Sequence, residues 1–86
     1  MRDKLLSTLR EASVLLMINT KLLEPYSNLP SHLNNLEFVQ LKVSFLDPDL
    51  SLLPDELRVT LSFYNQPYFL RIPYRSILSF KKVNLS

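Results

Sequence analysis

Residues 57–80 read LRVTLSFYNQPYFLRIPYRSILSF, which is a strand, a reversal, a second strand and a proline-led turn in succession. Leu57, Val59, Leu61 and Phe63 share one face of the first strand, while Arg58, Thr60, Ser62 and Tyr64 share the other. That period of two belongs to a half-buried strand. Tyr64-Asn65-Gln66-Pro67 supplies the reversal, with Asn65 able to take a left-handed backbone and Pro67 placed where no ladder donor is needed. Tyr68, Leu70 and Ile72 form the apolar face of the returning strand, which Pro73 ends. Pro73 also suits the first position of a helical turn carrying Tyr74, Arg75 and Ser76, which returns Ile77 and Phe80 to the apolar side.

Upstream of this hairpin, residues 37–45 alternate again, with Val39, Leu41, Val43 and Phe45 opposed to Gln40, Lys42 and Ser44. Asp47-Pro48-Asp49 breaks that strand, and Pro54-Asp55-Glu56 turns the chain into the hairpin. Leu50, Leu52 and Leu53 lie between them as a short strand or a turn cover. Residues 3–13 have helical spacing: Leu5, Leu9, Ala12 and Leu16 fall on one stripe with Leu6 beside it, and Asp3 is placed to cap the N-terminus. The continuous apolar run over 14–19 fits a buried strand or a continuing helix, and the β-branched Val14 and Ile18 favour the strand. Residues 21–35, punctuated by Pro25, Ser27, Asn28, Pro30, Asn34 and Asn35, form a connector with one helical turn over 29–33. The expected architecture is one α+β domain over 1–86. It consists of an N-terminal helix over 1–13, a small, strongly curled antiparallel sheet over 14–80 that closes into a partly open β-barrel, and a short tail over 81–86.

A hydrophobic content of 47% excludes disorder, and no apolar run approaches the ~20 residues of a spanning helix. Arg10 and Glu11 interrupt any secretory pattern at the N-terminus, so a cytoplasmic location is expected. With no cysteine, disulfides, thiolate metal sites and cysteine nucleophiles drop out. With no glycine, phosphate loops and dinucleotide fingerprints drop out too, and positive φ angles are expected at Asn19, Asn28, Asn34, Asn35, Asn65 or Asp47. A chain of this size has a thin stability margin, which a partner subunit would widen.

Catalytic chemistry requires converging polar groups, and few are offered. His32 is the only histidine and sits in the proline-flanked connector, and the acidic pairs at Asp47, Asp49, Asp55 and Glu56 lie at turns without the calcium-loop spacing. No catalytic residue, metal site or cofactor is expected. Tyr64, Tyr68, Phe69 and Tyr74 cluster around the hairpin. Phe69 and Tyr64 lie opposite the apolar stripes: either they form a second core layer on a sheet buried on both sides, or the aromatics, with Arg71 and Arg75, form a contact surface for a peptide or subunit. From a different class comes a small barrel that binds RNA or single-stranded DNA through Arg58, Arg71, Arg75, Lys81 and Lys82 with the tyrosines. A net charge of +2 gives that alternative little support. A third reading is a structural subunit whose task is assembly.

The strand Val59-Thr60-Leu61-Ser62-Phe63, the turn Asn65-Gln66-Pro67 and the strand ending Leu70-Arg71-Ile72-Pro73-Tyr74, with Ile77 and Phe80 behind it, resemble the stringent starvation protein B family. These are bacterial adaptors of the ClpXP protease, and the likeness is closest to their α-proteobacterial branch. Leu29-Pro30-Ser31-His32-Leu33 sits where the family carries a similar proline-led turn. The resemblance implies a cytoplasmic homodimer without an active site, which binds the ssrA-like peptide tag of stalled nascent chains and delivers tagged substrates to the ClpX unfoldase. It places a peptide groove between the strand over 37–45 and the hairpin, lined by Val43, Ser44, Phe45, Thr60, Ser62 and Ile72. Lys81-Lys82 departs from the Asp-Pro that the family carries after the aromatic, and the family's ClpX-docking tail would lie beyond Ser86.

Overall fold

The computed structural model describes residues 1–23 and 29–83. Helix α1 (Arg2–Leu9) leads into β1 (Ser13–Asn19) and a 3-10 turn (Thr20–Leu22), and the short helix α2 (Ser31–Asn34) precedes β2 (Phe38–Val43). The two-residue β3 (Ser51–Leu52), the hairpin β4 (Glu56–Phe63) and β5 (Gln66–Pro73), a second 3-10 turn (Tyr74–Ser76) and β6 (Ile77–Val83) complete the chain.

The strands form two antiparallel three-stranded sheets, ordered β2-β1-β6 and β3-β4-β5. This corrects the expectation of one strongly curled sheet closing into a barrel. Pro73 ends β5, and the 3-10 turn behind it carries the chain across to β1, so β6 completes the first sheet and does not extend the second. The apolar rows of the first sheet are Leu16 with Leu41 and Phe80, and Ile18 with Val39 and Ile77. Those of the second are Leu57 with Leu52 and Ile72, and Val59 with Leu70. Both sets belong to one core cluster, which Leu5 and Leu9 of α1 also enter.

The strand over 14–19 and the hairpin form as expected. The helix is shorter than the expected 3–13: it stops at Leu9, and Glu11 and Ala12 donate to the Thr8 carbonyl in a tight turn that frees Ser13 to start β1. Arg10 closes it in an ordinary right-handed conformation, as a chain without glycine allows. Met1, not Asp3, occupies the N-cap, and Asp3 lies within the first turn, where a carboxylate suits the positive end of the helix dipole. Residues 81–83 are strand and not tail. Phe45 lies beyond the end of β2 and is exposed.

Positive φ angles occur at Asp49, Tyr64 and Asn65. Asn65 was expected, but Asp47 is not among them, because its carboxylate instead accepts from the Ser44 N–H at 2.7 Å and closes the bend after β2. Asn19 and Asn35 have negative φ, and Asn28 lies outside the described residues. Tyr64 adopts the left-handed region because Phe63 pairs directly with Gln66, leaving a two-residue loop whose twist requires positive φ at both positions.

Candidate functional site

The residues expected to line a groove fall into three places. Val43 and Ile72 are fully buried on the inward faces of different sheets and form part of the core. Thr60 and Ser62 project from the outward face of the second sheet, where their partners across the hairpin are Phe69 and Pro67. Ser44 and Phe45 follow β2 in the loop toward β3. The loop is stapled to the hairpin: the Thr60 N–H donates to the Pro48 carbonyl at 2.9 Å, and the Thr60 hydroxyl donates to Asp49 Oδ2 at 2.6 Å. Ser44, Phe45, Thr60 and Ser62 therefore belong to the hairpin's outward face and the loop fastened to its edge. Val43 and Ile72 do not, because β2 and β5 lie in different sheets and their inward side chains meet in the core.

Why this face is ordered follows from its charges. Arg58 and Arg71 stand directly opposite each other across the hairpin, an arrangement that by itself repels. Glu56 resolves it. Its Oε2 accepts from Arg58 Nε at 2.8 Å and from Arg71 Nε at 2.7 Å, and its Oε1 accepts from Arg71 Nη2 at 2.9 Å. The Arg71 pairing is bidentate, the strongest geometry for such a contact. Hydrogen bonds first from Arg71 and then from Arg58 hold the Glu56 carboxyl at about 2, against the upward push of burial. Beyond this cluster an open depression of about 330 Å³ is lined by Asp55, Glu56, Pro73 and Arg75. The Tyr74 hydroxyl donates to the Leu53 carbonyl at 2.7 Å, and burial raises its pKa.

Toward the hairpin tip the face turns apolar. Phe69 is 40% exposed and Tyr64 80% exposed, so the second sheet is not buried on both sides. The Tyr64 ring meets that of His32, with centroids 5.1 Å apart. The outer edge of β5 has no neighbouring strand among the described residues, and Pro67 and Pro73 stand near its two ends. Prolines at such places limit indiscriminate edge pairing and leave the middle of the edge able to take an extended chain.

Of the basic residues considered for nucleic acid, Arg58 and Arg71 are bound to Glu56, and Lys82 forms an ion pair with Glu11. Among the described residues no three His, Asp or Glu side chains gather as a metal site, and no helix is long and apolar enough to cross a membrane. Glu56 and Asp49, which order this face, escaped the sequence reading, which assigned both to turns. The available signal was the spacing of Glu56 two residues before Arg58, which puts both on one strand face. No family model and no curated protein matches the chain.

Proposed function

We propose that this protein is a non-enzymatic adaptor that binds a degradation-tag peptide and delivers tagged substrates to the ClpX unfoldase of ClpXP. It works in the cytoplasm as a homodimer, in the manner of the stringent starvation protein B family. The observation that carries this reading is the half-exposed Phe69 beside Pro67, Thr60 and Ser62, next to a β5 edge without a neighbouring strand among the described residues. An extended peptide added to that edge gains main-chain hydrogen bonds, while its alternate side chains reach Phe69 and Pro67. The Glu56–Arg58–Arg71 cluster ties the two strands of the hairpin together beside it. Delivery then needs no chemistry, since tethering alone raises the concentration of substrate at the protease.

Calorimetry with a peptide ending in the small apolar residues of a degradation tag tests this. Binding is expected at about micromolar strength or better, weakened at least about tenfold by Phe69→Ser. Absence of heat and of competition up to about 1 mM peptide contradicts the proposal.

A further inference from the structure

An adaptor tethers two molecules and so needs a second surface, and the outward face of the first sheet has the chemistry of one. Its central strand presents Leu15 and Met17, both half-buried. Leu15 is flanked by Lys42 on β2 and Lys81 on β6, and Met17 by Gln40 and Ser79. Lys42 stands on the other side of Leu15 from Lys81, and Leu15, Met17, Gln40, Ser79, Phe80 and Lys81 line a depression of about 170 Å³. That is the liquid volume of roughly five to six waters, or room for one branched apolar side chain.

The electrostatics are one-sided. No acidic residue occupies the outward positions of β1, β2 or β6. Among the described residues neither Lys42 nor Lys81 is held in an ion pair, whereas the neighbouring Lys82 is paired with Glu11. Strands lie about 4.8 Å apart, so the two lysine backbones straddle Leu15 at about 10 Å, one two-residue step of ~7 Å from the Met17 row. A second copy of the same face would set lysines against lysines. An extended segment with an apolar side chain and a carboxylate two positions apart would fill the depression and set a negative charge between the two cations.

We infer that this face docks an acidic, extended segment of a partner protein, with an apolar side chain seated over Leu15 and Met17 and a carboxylate between Lys42 and Lys81. The face is distinct from the one assigned to the tag, so the two assignments fail separately. The probe is a fluorescein-labelled peptide of about ten residues in which leucine and glutamate stand two apart in a serine background, so that both project from one side. Anisotropy titration against the full chain is expected to show binding that falls steeply between about 50 and 300 mM salt. It should weaken at least about tenfold in Lys42→Glu/Lys81→Glu and stay unchanged in Phe69→Ser. A peptide with glutamine for glutamate should bind at least about tenfold more weakly. Because both lysines are exposed, circular dichroism should show the double variant folded, and Lys42→Gln/Lys81→Gln provides the same comparison without charge reversal. Equal binding to wild type and lysine variants, or no binding up to about 1 mM, overturns the inference. So does sedimentation showing that the face is occupied by a second copy, as a dimer that the lysine substitutions dissociate. Tag-peptide binding that survives the lysine substitutions while the acidic probe fails to bind would overturn this inference alone.

Discussion

The two sheets are nearly equivalent on their inward faces and opposite on their outward ones. Inside, both present Leu, Ile and Val from successive alternate positions to one core. Outside, the first sheet shows Leu15 between two lysines that have no ion pair among the described residues, with Met17 beside it, whereas the second shows an arginine pair held by Glu56 and an aromatic strip around Phe69. The inward faces therefore account for folding and say little about function. The difference between the outward faces is what could let one small domain hold two dissimilar partners.

Substitutions that separate the two faces of β1 should have the largest effects. Leu16→Ala removes a fully buried side chain packed between Leu41 and Phe80 and should cost about 3 kcal/mol in denaturant unfolding. Met17→Ser, on the outward face one residue along, should cost under about 1 kcal/mol. Comparable losses would mean that the outward face is covered in the native protein.

Glu56→Gln tests the second sheet. The folded carboxyl lies at about 2, below its ordinary value of 4.5, so its contribution is complete above the unfolded pKa and is lost as pH falls toward 2. With the side chains of Arg58 and Arg71 41% and 30% exposed, that contribution is about 2 kcal/mol after solvent screening. The variant should be less stable by that amount near neutral pH and should lose the wild type's decline between about pH 4.5 and 2. An unchanged decline would assign it to other carboxylates. The smallest expected effect is a gain. Tyr64→Asn replaces a bulky residue at φ 53° with one that tolerates the left-handed region, and should stabilise by about 0.5 kcal/mol after loss of the His32 ring contact. Destabilisation would show that this ring contact outweighs the backbone strain.

The strands over 38–43 and 56–73 were legible in the sequence because each alternates strictly, and Pro73 marked the turn that follows. Strand β6 was not. A β-bulge between Met17 and Ile18 pairs Leu16 with Phe80 but Ile18 with Ile77, so two inward residues stand three apart and the period of two is broken. The site was half legible for a related reason. Alternation shows that Val43 and Ile72 share a face with their strand's apolar residues, but not that β2 joins β1 in a sheet separate from the β4–β5 hairpin. With that partition known, the space between them is core, and Thr60 and Ser62 remain on an accessible surface. Tyr64 was hidden because its left-handed backbone is imposed by the pairing of Phe63 with Gln66 and not by its own preference.

On the proposed reading, the hairpin's outward face and the β5 edge receive the tag peptide. Titrating that peptide into nitrogen-15-labelled protein and following amide shifts tests it most directly. Saturable shifts concentrated in Thr60, Ser62 and residues 68–71, absent in Phe69→Ser, are the predicted result. Shifts confined to Leu15, Met17 and their neighbours, or none at about 1 mM peptide, would contradict it.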